Sequence, residues 1–297
     1  MGAARGRDEA FSALDWALLG ATALMWGSSF LLIDIGLDHL EPTVVAWLRV
    51  LFGALTLTCI PAARRSIGRA DWPLVALLGT VWMAVPFQLF AVAQQSIPSS
   101  LAGMINGAAP LFTAAIAFGW TLRVPAAAPL LGLLVGFAGV LVVNVPAARE
   151  SQATLLGAGL VVVATLLYGV AFNLTVPLEE RNGALPVIWR AQLVALVVMA
   201  PTGAWGAVDS SFAWSSLAAV VVLGALGTGL AFAAFTTLVG RVGAPRGSVT
   251  IYFIPIVAIV LGVAARDETV TTLALLGTVL VLVGAFLTSR RDRRAAG

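Results

Sequence analysis

Two charged residues stand inside apolar surroundings early in the chain. Asp34 lies near the end of a run from Leu14 to Leu37, in the stretch ALMWGSSFLLID, and Arg49 lies about six residues into the next run. At 1.5 Å per residue Arg49 sits about 9 Å below the start of its segment. A charge held that far into hydrocarbon marks a functional site by default. Its guanidinium suits carboxylate or another anion. The connection 38–42 is short, so the two segments should be antiparallel neighbours whose Asp34 and Arg49 side chains could meet. One reading gives Arg49 an anionic substrate, with Asp34 holding or competing for the guanidinium. The other has Arg49 snorkelling to headgroups or forming a purely structural pair. Arg190 enters from the opposite side at similar depth, close in sequence to Glu179 and Glu180, and reads as a snorkelling residue.

Uncharged groups add to these. Pro110 has no N–H to give, so it leaves the carbonyl of Asn106, four residues earlier, without its helical partner; the Asn106 amide is beside it. Pro255 does the same to Ile251, with Tyr252 adjacent, and Pro86 to Trp82, with Gln88 two residues on. Gln94 and Gln95 fall near a rim, where solvation accounts for them. Trp26 could wall in or stack on a substrate, the hydroxyls of Ser28 and Ser29 can bond back to carbonyls of the preceding turn, and Tyr168 occupies the position equivalent to Trp26 in the second half.

Catalytic groups are sparse. There is one histidine, His39, one cysteine, Cys59, and no paired acidic or Cys/His cluster within the apolar runs. No GxxxxGK[ST] loop is present. These features argue against an enzyme and suggest neither metal nor cofactor.

The segments that hold these residues are membrane helices. The 297 residues are 60% hydrophobic and 10% charged, with mean hydropathy +1.00, far from the composition of soluble domains. Ten apolar spans are expected: 15–37, 43–61, 72–94, 99–120, 126–145, 155–176, 185–203, 214–238, 246–265 and 270–289. The fold class is therefore an all-α integral membrane protein, because lipid-facing backbone must satisfy itself within each segment.

All 17 basic residues are arginine. With the N-terminus cytoplasmic, thirteen fall inside: Arg5, Arg7, Arg64, Arg65, Arg69, Arg123, Arg181, Arg241, Arg246, Arg290, Arg291, Arg293 and Arg294. Only Arg149 and Arg266 fall outside. This positive-inside bias reports orientation, with both termini cytoplasmic, and leaves no basic surface for nucleic acid.

The chain also matches itself. A shift of 145 places Gly79 on Gly224, Phe87 on Phe232, Phe90 on Phe235, Pro110 on Pro255, Gly132 on Gly277 and Gly139 on Gly284. A shift of 142 places Trp26 on Tyr168, Gly27 on Gly169, Phe30 on Phe172 and Trp47 on Trp189. Five spans per repeat is an odd number, so the halves are inverted copies: an N-terminal tail 1–14, repeats 15–145 and 155–289 joined by 146–154, and a basic tail 290–297. Inverted repeats place a substrate near the midplane between the halves.

The stretches WGSSFLLIDIGL, PTVVAWLRVLFGAL and SSLAGMINGAAPLFTAAIAF, with LLYGVAFNL, GSVTIYFIPIVAIVLG and LLGTVLVLVGAFL, resemble the EamA-like family of the drug/metabolite transporter superfamily over roughly residues 16 to 289. The resemblance implies a ten-helix exporter of small metabolites in a bacterial inner membrane. Secondary active export by alternating access is the expected function, possible partners being a small-molecule substrate, a coupling proton or ion, and lipid. A passive channel or facilitator, or a membrane scaffold, is the competing reading. Gly103-x-x-x-Gly107 and Gly132-x-x-x-Gly136 allow close helix packing, with a homodimer along the fifth and tenth spans as one use of it.

Overall fold

The computed structural model describes residues 11–121, 127–242 and 244–289. The expected N-terminal tail up to residue 10, with Arg5 and Arg7, lies outside the described residues, as do Arg123 and the basic tail 290–297; for Arg149 only the backbone is described.

Among the described residues all regular structure is helical. The helices are α1 (Ala13–Gly27), α2 (Ser29–Leu37), α3 (Pro42–Thr58), α4 (Trp72–Leu78), α5 (Val85–Ala93), α6 (Ser99–Asn106), α7 (Ala109–Thr121), α8 (Ala127–Glu150), α9 (Gln152–Asn182), α10 (Ala184–Asp209), α11 (Trp214–Val222), α12 (Ala231–Val242), the one-turn α13 (Ala244–Gly247), α14 (Thr250–Arg266) and α15 (Thr272–Ser289). Seven stretches are long and apolar enough to cross a bilayer: Ala13–Leu37, Arg69–Ala93, Ser99–Trp120, Pro129–Pro146, Gln152–Asn182, Ala184–Asp209 and Trp214–Val242. Pro42–Thr58, Thr250–Arg266 and Thr272–Thr288 are shorter apolar helices. The chain is a multi-pass membrane protein.

Local chemistry explains where the helices start and break. Ser12 and Asp15 form a capping box that opens α1. The Ser28 and Ser29 hydroxyls donate to the Met25 carbonyl at the α1–α2 break. Pro110 stands where α6 gives way to α7 at Gly107–Ala108. Pro255 instead lies inside a continuous α14, its ring against Gly107, where a Cβ would meet Pro255 Cγ at 2.7 Å. Two π-helical segments, Gly79–Ala84 between α4 and α5 and Leu223–Leu230 between α11 and α12, widen the helix and re-aim its side chains. The second covers the positions that the first reaches under the 145-residue shift.

Packing pairs elements across the chain. α3 lies against α10 and the second π segment, while α10 lies against α3 and the first. α1 packs on α12 and α14; α9 packs on α5 and α7; α6 packs on α14. At the side of the bundle α8 and α15 cross closely, because a Cβ on Gly139 would meet the Gly277 carbonyl at 2.7 Å and one on Gly284 would meet the Gly132 carbonyl at 2.6 Å. These glycines thus pack helix on helix within the chain. Gly103 likewise faces Ala258 and Phe30.

Candidate functional site

A cavity of about 690 Å³ lies between α1, α3, α5, α7, α9, α12 and α14. It reaches the surface at the end of the bundle where α1 begins, here the proximal end, with exposed Glu180 and Gly240 on its rim. Trp26, Ser29, Arg49, Asn106, Tyr168 and Tyr252 line it, as does Pro110. Ser28, Asp34, Gln88, Pro86 and Pro255 do not.

Arg49 is 7% exposed. Its Nε donates to Thr228 Oγ1 at 2.8 Å, and its guanidinium carbon sits 3.8 Å from the centre of the Phe87 ring. Asp34 is not its partner. The α2 helix carries Asp34 to the distal rim, where Arg266 Nε lies 2.6 Å from Asp34 Oδ2 and Arg266 Nη2 bonds Asp38 at 2.7 Å. Arg49, facing inward from α3, meets the second π segment instead. Among the described residues no carboxylate forms an ion pair with Arg49. A buried cation with no carboxylate beside it costs several kcal/mol, which the Thr228 hydroxyl and the Phe87 ring offset only in part.

Asn106 sits at the α6–α7 break, 8% exposed, with its Oδ1 lacking any hydrogen-bond partner. A buried acceptor of this kind on a cavity wall is open to a donor such as a bound water.

Aromatic rings form the remainder of the wall. Successive centroids run Phe235 to Trp26 at 5.0 Å, Trp26 to Phe232 at 5.5 Å and Phe232 to Trp82 at 5.1 Å. The chain of rings continues from Trp82 to Phe172 at 5.8 Å, Phe172 to Tyr168 at 6.1 Å, Tyr168 to Phe90 at 5.6 Å and Phe90 to Phe30 at 5.7 Å. Such offset and edge contacts hold each ring in place, so the wall is apolar and firm.

Other expectations need correction. The Gln88 amide donates to the Ala84 carbonyl, four residues back at the end of the first π segment, and does not line the cavity. Gln94 is 5% exposed, with both amide atoms unpartnered, so solvation does not account for it. Arg190 does not snorkel: it is 9% exposed and donates to the carbonyls of Ala63 and Pro186, tying the turn after α3 to α10. Glu179 and Glu180, considered in the sequence only as neighbours of Arg190, line the cavity. The rings Phe87, Phe90, Phe172, Phe232 and Phe235 were visible as matches of the internal repeat but carried no site expectation. Thr228 and Gln192 had no signal beyond being polar in an apolar run.

An apolar helical bundle with an aromatic cavity and a buried guanidinium on its wall has the form of a membrane transporter. The EamA-like transporter family profile matches residues 15–145 and 155–290, and the chain belongs to that family. It is 28% identical over 281 residues to a probable terminal-alkyne amino-acid exporter of Streptantibioticus cattleyicolor, covering 93% of each chain. It is 26% identical over 285 residues to an uncharacterized inner membrane transporter of Escherichia coli, covering 91% of this chain and 90% of the other. A probable amino-acid metabolite efflux pump of Escherichia coli is 25% identical over 289 residues, with 92% and 94% covered. One solved crystal structure, at 17% identity, matches the fold with a TM-score of 0.64 over 95% of this chain and 99% of its own.

Proposed function

We propose that this chain is a secondary active transporter of a bacterial inner membrane that exports small carboxylate-bearing, amino-acid-like metabolites by alternating access. Ten helices would span the membrane as two inverted repeats, 15–145 and 155–289, joined by 146–154, with both termini cytoplasmic. In that orientation the cavity faces the cytoplasm, as an exporter awaiting cargo requires, and a proton or ion drives the cycle.

Arg49 carries this reading: a buried guanidinium with no carboxylate partner, in a cavity whose walls are rings. An incoming carboxylate would supply the missing charge, the rings would take an apolar body, and Asn106 Oδ1 would accept from an amino or hydroxyl group. The names of two relatives as amino-acid exporters support the cargo class. Support for inverted repeats comes from the packing, where α1 on α12 and α14 is matched by α9 on α5 and α7, and from the two π segments at equivalent positions.

Counterflow in proteoliposomes tests it, with unlabelled compound inside and labelled compound outside. Over a panel of amino acids and small carboxylates, at least one should show saturable, uphill counterflow. Arg49→Gln should lower that flux by roughly a hundred-fold, the loss of a charge-assisted pair worth about 3 kcal/mol. Flux that never saturates would favour a channel, and equal flux by folded Arg49→Gln would remove Arg49 from the site.

A further inference from the structure

Arg49 lies on the first half of the chain, yet the hydroxyl that accepts from its guanidinium belongs to the second. Thr228, 0% exposed, sits in the second π segment. Its hydroxyl accepts from Arg49 Nε at 2.8 Å and directs its own proton to the Leu223 carbonyl at 3.4 Å, five residues back, a spacing that suits the π geometry. Its carbonyl accepts from Gln192 Nε2 of α10 at 2.6 Å, and Gln192 is itself 0% exposed. The backbones are pressed together to permit this: a Cβ on Gly53 would meet Thr228 Cγ2 at 2.8 Å, and one on Gly224 would meet the Arg49 carbonyl at 2.7 Å.

We propose that Thr228 and Gln192 are positioning residues that fix which edge of Arg49 faces the cargo, an inference that rests on the reading of Arg49 as the carboxylate anchor. A guanidinium offers a side edge, Nε with one Nη, and an end edge formed by both Nη atoms. Thr228 occupies Nε, and Phe87 covers one face at 3.8 Å. The end edge is left for a carboxylate, which it can bind through two parallel N–H donors. Gln192 holds the π segment at the turn that carries Thr228, so the orientation of a first-half cation is set by two second-half residues. Affinity for the cargo's head group is thereby tied to how the two halves are docked.

The test uses acid and primary-amide pairs of L-propargylglycine, L-leucine and L-phenylalanine, bound to the purified full chain and followed by calorimetry. Ligand-free thermal stability is measured beside it. Wild type should prefer acid to amide. Thr228→Val, which keeps the shape and removes both hydroxyl bonds, should cut that preference roughly ten- to a hundred-fold. Thr228→Ser should restore it to within a few-fold, and Gln192→Leu should reduce it by less than Thr228→Val. A merely structural role would lower thermal stability and weaken acid and amide alike, leaving their ratio unmoved. Preference lost in Arg49→Gln but retained in folded Thr228→Val overturns the positioning role alone. Preference retained in Arg49→Gln overturns the anchor itself.

Discussion

The two ends of the bundle are joined differently. At the distal end the halves are tied by charge and by hydrogen bonds. Arg266 of α14 reaches Asp34 and Asp38, and Glu268 accepts from the Ser99 N–H at 2.9 Å, the Ser99 hydroxyl at 2.6 Å and the Ser100 N–H at 2.9 Å. Ser216 donates to the Ile35 carbonyl at 2.8 Å, and within the first half Phe30 meets Phe90. At the proximal end Arg181 pairs with Asp71 at 2.6 Å and Arg241 with Asp15 at 2.5 Å, both toward the periphery of the cavity mouth. The repeat equivalents of Phe30 and Phe90 are Phe172 and Phe235. Among the described residues these two make no ring contact with each other. The same ring types stand at both ends, and only the distal pair is engaged; on the alternating-access reading, exchange of that pair opens one end as it closes the other.

Removing the Glu268 carboxylate should disturb this difference most. Three hydrogen bonds to a charged acceptor hold the start of α6, and losing them with Glu268→Ala should favour distal opening by about 2 kcal/mol, roughly thirty-fold in the equilibrium. Side-specific maleimide labelling of Ser29→Cys, in a Cys59→Ser background, reads the change, since Ser29 lines the cavity and Cys59 is exposed. Unchanged labelling from the distal side would show that Glu268 only caps α6.

Arg266→Gln should act in the same direction but less. Its pairs with Asp34 and Asp38 are partly open to solvent, with the Arg266 side chain 30% exposed. Pairs of that kind contribute about 0.5 kcal/mol each, so loss of the two together should raise labelling from the distal side about five-fold. A larger rise than that of Glu268→Ala would reverse the ranking of the two ties.

How much of this was legible before the structure differs by kind of information. Apolar length placed the helical segments well, because hydrocarbon thickness fixes the run that must be apolar. The special character of Arg49 was legible for the same reason: a charge inside such a run needs an explanation. Its partner was not. Sequence proximity favoured Asp34, but a short loop makes helices neighbours without saying which faces meet, and Asp34 found Arg266, which stands 232 positions later in the chain. Thr228 was invisible because its role depends on a π segment, a register change with no residue signature in an Ala/Gly/Leu run. The rings were legible as repeats, and what the repeats mean emerged only when their contacts could be compared end against end.

The rings also supply the finest test. Phe90 makes two ring contacts, to Phe30 and to Tyr168; Phe235 makes one, to Trp26. The contacts Tyr168 to Phe90 and Trp26 to Phe235 are equivalent under the repeat, so an exchange of the halves' roles retains both. The contact of Phe30 with Phe90 has no present equivalent among the described residues, and on the alternating-access reading it would be replaced in the exchanged state by one between Phe172 and Phe235. Phe90 therefore loses a ring neighbour on distal opening, and Phe235 gains one. A ring pair contributes about 0.5 to 1.5 kcal/mol beyond burial, so each substitution by leucine should move the equilibrium only a few-fold, but with opposite signs. Phe90→Leu should raise distal labelling of Ser29→Cys; Phe235→Leu should lower it and raise proximal labelling. Burial alone predicts no such opposition, since leucine replaces phenylalanine in both. Shifts of the same sign, with both variants folded, would mean that Phe172 and Phe235 are simply cavity wall, and that the two ends do not exchange a gate.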